Sequence, residues 1–326
     1  MSSTDQTAFP EINRGYNNVF RPNKLSVGLV VAIENYNNSP VPSMENHIER
    51  VQLAEALGFA SIWLRDVPFN VPSFGDAGQT YDPFVYLGFL AAHTTRISLA
   101  TGSIVLPLRH PAHVAKAAAT ADVLSGGRLI LGIASGDRPE EYPALNMSFD
   151  DRGKRFRDSF EYIKRMWETA PAFENDYGTP YGGMDMLPKP TSGRLPLMIT
   201  GGSQQSPDWL ASNGDGWVTY PRNVQAQQRL ISSWRSRAKE LDAPFKPVSQ
   251  SLYIDLVEDD DATPQPIHLG FRSGVNYLRD YLSSLEEIGV NHVAINLRFN
   301  QANIETTLER LSDKILPDFP SSGFQS

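Results

Sequence analysis

The chain has 326 residues, of which 40% are hydrophobic and 20% charged, and its formal net charge is −8. This composition is typical of a globular protein with a sizeable core, and the acidic balance argues against nucleic acid or an anionic membrane as the main partner. Because the sequence contains no cysteine, disulfides, thiolate catalysis and iron–sulfur clusters are excluded. Any redox chemistry therefore needs a bound cofactor.

The amino-terminal segment is polar and lacks the apolar core of a secretory signal, and no run of about 18 apolar residues occurs in the sequence. We therefore expect a cytoplasmic protein with no membrane partner. Residues 1–24 are expected to form an N-terminal extension, residues 25–317 a single domain, and residues 318–326 a C-terminal tail.

From Leu25 onward, apolar strand-like runs alternate eight times with helix-like runs. The strand candidates begin at Leu25, Ser61, Ile97, Arg128, Pro196, Gly216, Ser251 and His292. The helix candidates begin near Ser43, Asp82, Pro111, Asp150, Ser206, Asn223, Gly270 and Ile304. Eight units in strict alternation favour an α/β fold of the (β/α)8 TIM barrel type, with an open doubly wound sheet as the alternative.

Three connections are longer than ordinary βα loops, namely residues 68–81, 169–195 and 258–269. Long loops in compact domains are commonly functional, so we expect inserted lid segments at the C-terminal face of the barrel, above all in the second and third. The third loop contains four consecutive acidic residues, Glu258 to Asp261. Because no histidine or spaced ligand set accompanies them, a solvated loop is favoured over a metal site.

The active site of a barrel lies at the carboxyl ends of its strands. Polar and glycine residues at these exits are candidates for it, and they are Arg65, Asp66, Gly102, Ser103, Arg109, His110, Ser135, Thr200, Gly201, Gly202, Ser203, Gln204 and Tyr220. The set lacks a metal triad and a nucleophile with its base. His110 is the best placed histidine, although a single histidine at a turn is as often structural as catalytic.

One complete β-α-β unit extends from Ile97 to Asp137. Residues 97–106 are nearly all apolar or small, which is typical of a parallel strand buried on both faces. The helix of this unit ends at Ser125-Gly126-Gly127, and the second strand ends at Ser135-Gly136-Asp137. The second exit offers N–H groups and a hydroxyl to a ligand, but tight turns explain its glycine equally well.

A strand followed by Thr200-Gly-Gly-Ser-Gln-Gln205 leads into a helix that opens near Ser206. The glycines let the backbone approach an anion, and N–H groups and hydroxyls supply donors, so one interpretation is a phosphate-binding loop. The other is a serine-capped helix after a glycine turn. The residues by themselves leave both open.

Together these stretches resemble the bacterial luciferase-like, flavin-dependent monooxygenases from about Leu25 to Pro317. The resemblance rests on GFASIWLRD, TGSIVLPLRHP, DVLSGGRLILGIASGD, the LPKP and ITGGSQQS pair, and GDGWVTYPR. It implies a barrel that binds FMN, or in some branches a deazaflavin, at its carboxyl face. The resemblance also implies specific contacts: phosphate contacts from Ser135 and from Gly201 to Gln204, a counter-charge at Arg152, and a bulge or non-prolyl cis peptide at Gly102-Ser103 against the flavin ring.

The chain departs from the family pattern after the second strand, where luciferases carry a histidine and this sequence has Asp66. Two roles for Asp66 stay open. It acts as the acid/base with a raised pKa, or it pairs with Arg65 and holds the loop.

The resemblance implies a monooxygenase that uses reduced FMN and O2 on a small organic substrate, with NAD(P)H or a partner flavin reductase as the electron source. The alternatives are a deazaflavin-dependent dehydrogenase and a flavin-binding protein without turnover. It also implies a homodimer formed through helices of the first half of the chain.

Overall fold

The structure is a computed structural model that describes residues 8–324. Strands in this part of the chain are β1 (Ser26–Val30), β2 (Ser61–Leu64), β3 (Ser98–Thr101), β4 (Ile104–Val105), β5 (Leu129–Ala134), β6 (Leu197–Thr200), β7 (Gly216–Thr219), β8 (Val248–Leu256), β9 (Gln265–Ile267), β10 (Gly270–Ser273) and β11 (His292–Asn296). Eight of them pair in parallel in the order β11-β1-β2-β3-β5-β6-β7-β8, and β8 pairs with β11 to close the ring. The predicted (β/α)8 barrel is confirmed.

Helices cover the outside of the barrel. Within the described residues they are α1 (Arg14–Val19), α2 (His47–Leu57), α3 (Pro83–His93), α4 (Pro111–Leu124), α5 (Glu141–Ala144), α6 (Arg152–Met166), α7 (Pro207–Ser212), α8 (Val224–Glu240), α9 (Val275–Glu287) and α10 (Ile304–Lys314). Asp82, Ser206 and Asn223 cap α3, α7 and α8, each through a side-chain oxygen that accepts a backbone N–H. Such caps stabilise a helix by about 1 kcal/mol each, which is why these starts were readable in the sequence.

Two predicted helix starts were wrong. The carboxylate of Glu34 accepts the N–H and the hydroxyl of Ser43, which keeps this residue in the loop, and α2 begins only at His47. Gly270 opens strand β10 instead of a helix, because β8 is nine residues long and its end pairs with β10. A Cβ at Gly270 would lie 1.8 Å from the carbonyl oxygen of Tyr253, so only glycine permits this pairing.

The amino-terminal end of the barrel is closed by α1. The Gly15 N–H donates to the Gly127 carbonyl at 2.8 Å, and the Tyr16 hydroxyl donates to the Asp215 carbonyl at 2.9 Å. Phe319 is buried, and the Ser322 hydroxyl donates to the Asn17 carbonyl. Residues 8–24 and 318–324 thus pack on the barrel. The domain limits at 25 and 317 stay predictions, and residues 1–7 and 325–326 lie outside the described part.

Two apolar layers hold the fold together. The larger one fills the space between the strands and the surrounding helices, and the smaller one lies inside the barrel beneath the strand exits. None of the helices in the described residues is long and apolar enough to cross a membrane.

Candidate active site

A cavity of about 710 Å³ opens at the carboxyl ends of the strands, and residues from all eight barrel strands or their exits line it. Cavities of roughly 300–1,000 Å³ are typical of small-molecule sites. The predicted site residues that line it are Arg65, Asp66, Gly102, Ser103, Ser135, Thr200, Gly201, Gly202, Ser203, Gln204 and Tyr220. Arg109, His110 and Arg152 do not line it.

The floor of the cavity contains an unexpected buried histidine. The two ring nitrogens of His292 lie 2.8 Å from the hydroxyl of Ser26 and 2.9 Å from that of Ser61. The indole ring of Trp63 stacks on the imidazole with ring centroids 5.5 Å apart. Burial lowers the pKa of His292 to about 3, so this histidine stays neutral at physiological pH and does not replace the missing family histidine as a proton carrier.

The wall formed by the exit of β6 is rich in exposed backbone donors. Gly201, Ser203 and Gln204 have φ values of +58°, +43° and +58°, and runs of this kind turn N–H groups toward a common centre. The carbonyl of Thr200 accepts a hydrogen bond from the Ser203 hydroxyl at 2.8 Å. The hydroxyl of Thr200 accepts one from the Ser103 hydroxyl, also at 2.8 Å. A Cβ placed on Gly202 meets nothing within 4 Å. This wall is an open concavity that suits an anion.

Helix α6 supports that loop from behind. A Cβ on Gly153 would lie 2.8 Å from the Cβ of Gln204, so the helix and the loop are in close contact. The side chain of Gln205 donates to the Gly153 carbonyl at 2.8 Å and accepts from Arg157. The Ser206 hydroxyl accepts the Trp209 N–H, so the predicted serine cap is present and leaves the preceding loop available for a ligand.

The exit of β3 contains the bond singled out in the sequence. The Gly102-Ser103 peptide is cis, as is Val31-Ala32 at the exit of β1. Gly102 lies against Trp63, whose ring is 3.4 Å from the Cβ position of the glycine. The predicted single strand from Ile97 is interrupted here and continues as β4.

Asp66 does not pair with Arg65. Its carboxylate accepts two hydrogen bonds from Arg109, at 3.0 Å and 2.7 Å, and a third from the Val105 N–H at 3.0 Å. Arg109 also contacts Asp82 at 2.9 Å. Arg65 instead pairs with Asp76 at 2.6 Å. Of the two roles left open for Asp66, pairing with Arg65 was therefore wrong, because Asp66 turns toward the β3 exit and fixes its backbone. The acid/base role stays a prediction.

A second wall of the cavity is charged. Three arginines converge on one stretch of the loop 68–81: Arg65 and Arg298 contact the carboxylate of Asp76 at 2.6 Å and 3.2 Å, and Arg138 donates to the Asp76 carbonyl at 2.8 Å. Burial raises the pKa of Asp76, but Arg65 and the Gly78 N–H outweigh it and hold this pKa below its usual range. Asp76 is therefore an anion.

Arg138 and Glu141 were not predicted from the sequence as site residues, although both line the cavity and both are buried. The Arg138 guanidinium lies over the Phe74 ring, 4.1 Å from its centroid. Burial raises the pKa of Glu141 to about 7, although Arg138 opposes the shift. The segment DRPEEY resembles a solvated loop in sequence. The position of this segment directly after the β5 exit is the feature of the sequence that could have identified Arg138 and Glu141 as site residues.

The three long connections differ in position. Phe74 and Asp76 from the first and His268 and Leu269 from the third line the cavity, whereas no residue of 169–195 does. The second connection packs on outer helices, where Thr191 donates to Asp122 of α4, so it is not placed as a lid. Asp260 in the acidic run pairs with Arg310. Among the described residues, no cluster of three or more His, Asp or Glu is placed to hold a metal ion.

The remaining predicted residues have local roles. The Nδ1 atom of His110 accepts the Ala112 N–H at 3.2 Å and caps α4, and its Nε2 atom lies 3.3 Å from the Tyr177 carbonyl oxygen. Arg152 stacks on Phe149, with its guanidinium 3.6 Å from the ring centroid. The structure does not bring either of them into the cavity with the other candidates.

Residues 24–293 match the family model described as luciferase-like monooxygenase. The chain is 32% identical over 258 residues to the oxygenase component of a flavin-dependent trigonelline monooxygenase from Acinetobacter baylyi, covering 76% of this chain and 68% of that protein. It is 25% identical over 228 residues to an F420-dependent hydroxymycolic acid dehydrogenase from Mycobacterium tuberculosis, covering 67% of this chain and 59% of that one.

A solved structure with the same fold is a monooxygenase from Streptomyces bottropensis, with a TM-score of 0.73, 20% identity and coverage of 90% of this chain and 99% of that one. The chain belongs to the luciferase-like monooxygenase family. This family includes flavin-dependent monooxygenases and F420-dependent dehydrogenases, so its members are generally oxidoreductases.

Proposed function

We propose that the protein is an FMN-dependent monooxygenase that acts with O2 on a small organic substrate. The observation that carries this proposal is the donor-rich loop from Thr200 to Gln204 at the edge of the cavity. The similarity to the oxygenase component of trigonelline monooxygenase supports it.

The residues present fit the cofactor. The N–H groups of Gly202, Ser203 and Gln204, with the hydroxyls of Ser135 and Thr200, would hold the phosphate. Gly102, Ser103 and Tyr220 would line the flavin ring. When bound and reduced, the flavin supplies the electrons that activate O2.

The chain itself would position the reactants and exclude water. Phe74, Leu269 and Phe299 line the cavity from three different segments and present apolar surface to it. We propose Asp66 as a positioning residue, because three hydrogen bonds to Arg109 and Val105 engage both of its oxygens. Arg65, Asp66 and His110 are the residues that the sequence offers for a catalytic role, and of these Arg65 and Asp66 line the cavity.

The source of electrons is proposed by similarity. Because the 32% identical relative is named an oxygenase component, we propose that a separate flavin reductase, itself driven by NAD(P)H, supplies reduced FMN to this chain. The second candidate function is a deazaflavin-dependent dehydrogenase, which the similarity to the F420-dependent hydroxymycolic acid dehydrogenase favours.

Binding and oxygen measurements separate the two functions. The purified protein is titrated with FMN, riboflavin and F420, and O2 uptake is then followed after mixing with chemically reduced FMN and candidate substrates. We expect FMN to bind more tightly than riboflavin and F420, and one substrate to yield a product that carries an oxygen atom from O2. Preferential binding of F420, with substrate oxidation that consumes no O2, would establish the dehydrogenase instead.

We also propose a homodimer. On α3, Val85 is 74% exposed and Phe89 is 43% exposed, and apolar side chains exposed on one helix suit contact with a second copy. Light scattering of the wild type should give twice the mass of one chain, and Val85→Glu should give a monomer. An unchanged dimer in that variant would exclude α3 as the interface. The cytoplasmic location stays a prediction.

A further inference from the structure

The charged wall of the cavity contains three arginines and two acids, and Asp137, which also lines the cavity, is a further acid beside it. The charged wall is made up of five residues that line the cavity, namely Arg65, Asp76, Arg138, Glu141 and Arg298. The three guanidiniums share the carboxylate and carbonyl of a single residue, Asp76. Asp66 does not contribute, because Arg109 already neutralises it.

Three buried polar atoms on this wall have no hydrogen-bond partner among the described residues. They are Nη1 of Arg138, Nε of Arg298 and Oε1 of Glu141. An unpaired buried polar atom costs on the order of 1–3 kcal/mol, so a ligand that reaches these groups gains by satisfying them. Phe74 covers one face of the Arg138 guanidinium, which leaves its edge for a partner that binds in the plane.

Burial and the nearby charge of Arg65 both lower the pKa of Arg138. Glu141, Asp137 and Asp76 oppose this shift without outweighing it, so an anion placed against the guanidinium would favour its charged form. Glu141 lies one turn away, with its N–H donating to the Arg138 carbonyl at 3.2 Å.

We propose that the charged wall binds a carboxylate of the substrate and that Arg138 is the residue that holds it. The identity of this ligand as a substrate rests on the proposed function. A guanidinium edge matches a planar carboxylate through two parallel hydrogen bonds. Glu141 in its protonated form would donate a further hydrogen bond to the same group.

A second source of oxyanion is the cofactor phosphate. The donor-rich loop at Thr200 to Gln204 follows β6 and supplies neutral donors, whereas the charged wall supplies guanidiniums. The substitution Arg138→Gln distinguishes the two sources. If the wall holds the cofactor phosphate, this substitution weakens the affinity for FMN more than that for riboflavin, because only FMN carries a phosphate.

The test uses the FMN-loaded protein and matched pairs of acids and amides: benzoate with benzamide, phenylacetate with phenylacetamide, and nicotinate with nicotinamide. Affinities are measured by calorimetry. We expect at least one acid to bind about 10-fold or more tightly than its amide, as a charge-assisted pair requires. Arg138→Gln should abolish this preference without weakening the amide, and Arg138→Lys should retain part of it. Arg229→Gln, at an exposed arginine of α8, is the matched control and should change nothing.

Equal affinity for every acid and its amide would overturn the proposal, as would an equal loss of both in Arg138→Gln. If Arg138→Gln weakens FMN about 10-fold more than riboflavin, the anion is the cofactor phosphate and the substrate assignment is wrong. Failure of the wild type to bind FMN would contradict the proposed function alone. The acid and amide titrations on the unloaded protein then decide the carboxylate proposal, and circular dichroism of each variant verifies folding.

Discussion

Two walls of the cavity offer different kinds of hydrogen-bond donor. On the wall from Thr200 to Gln204, the backbone is left-handed at three positions, and a Cβ placed on Gly202 meets nothing within 4 Å. On the charged wall, long side chains converge on Asp76 and leave buried atoms unpaired.

This difference indicates which wall is suited to the cofactor, which is the same in every reaction cycle, and which is suited to the substrate. Backbone donors depend on chain conformation, so they suit a group that every reaction cycle uses. Side-chain donors change with single substitutions, so they suit the substrate. The following predictions test this division, beginning with the largest expected effect.

Placing a charge on the neutral wall should affect only a ligand with a phosphate. Gly202→Glu fits, because space is open at this position. We expect FMN affinity to fall about 100-fold from repulsion between the carboxylate and the phosphate, and riboflavin affinity to change less than about 3-fold. Fluorescence titration with both flavins measures this difference. Gly202→Ala is the size control, and an equal loss of both flavins in Gly202→Glu would place the phosphate elsewhere.

Removing the charge of Asp66 should destabilise the cavity rim. Asp66→Asn leaves Arg109 with a weakened partner and should lower the free energy of unfolding by about 2–3 kcal/mol, since breaking a buried ion pair is costly. Asp82→Asn removes the exposed second partner of Arg109 and should cost less than about 1 kcal/mol. Urea denaturation measures both. An Asp66→Asn variant of normal stability with no activity would favour the acid/base role instead.

Glu141 should make stability depend on pH. Its raised pKa means that the folded chain retains a proton between about pH 4.5 and 7 that the unfolded chain has lost, so the stabilisation disappears as the pH rises through 7. Glu141→Gln avoids this loss. The free energy of unfolding of the variant, relative to that of the wild type, should increase by about 3 kcal/mol from pH 4.5 to pH 8.

Denaturation at the two pH values measures this change. Arg138, Asp66, Asp137 and Glu140 also act on Glu141, so Glu140→Gln, at an exposed position, is the control. A constant difference between Glu141→Gln and the wild type at both pH values would contradict the raised pKa.

The smallest effect is expected at His110, which belongs to neither wall. His110→Ala removes the cap of α4 and should cost about 1 kcal/mol of stability. Turnover should stay within about 3-fold of the wild type, because the catalytic contribution of an acid/base group is typically 100-fold or more. Steady-state kinetics decides this, and a loss of 100-fold at unchanged stability would restore His110 as a catalytic residue.

Much of the fold was readable from the sequence because its signals are local. Asp82, Ser206 and Asn223 cap helices through neighbouring N–H groups, and apolar runs mark each barrel strand. The start of β10 could not be predicted. Gly270 is extended because it pairs with Tyr253, which lies on β8, 17 residues earlier in the chain.

The site was partly predictable for the same reason. Glycines and hydroxyls at strand exits identified Gly102, Ser103 and the loop from Thr200 to Gln204 as candidates, whereas the cis peptide between Gly102 and Ser103 was implied only by the family resemblance. The partner of Asp66 could not be predicted, because Arg109 reaches it from a separate loop. Arg138 and Glu141 carried no special local pattern, and only their burial distinguishes them.

The eightfold alternation, the family resemblance and the glycines and hydroxyls from Thr200 to Gln204 could be recognised without a structure, since each depends on residues adjacent in the chain. Tertiary structure decided which charges face one another. Arg65, Arg138 and Arg298 come from three separate strand exits and meet at Asp76, because closing the barrel brings distant exits around one cavity. Electrostatic energies depend on such distances and on burial, which are properties of the closed barrel and not of any one segment.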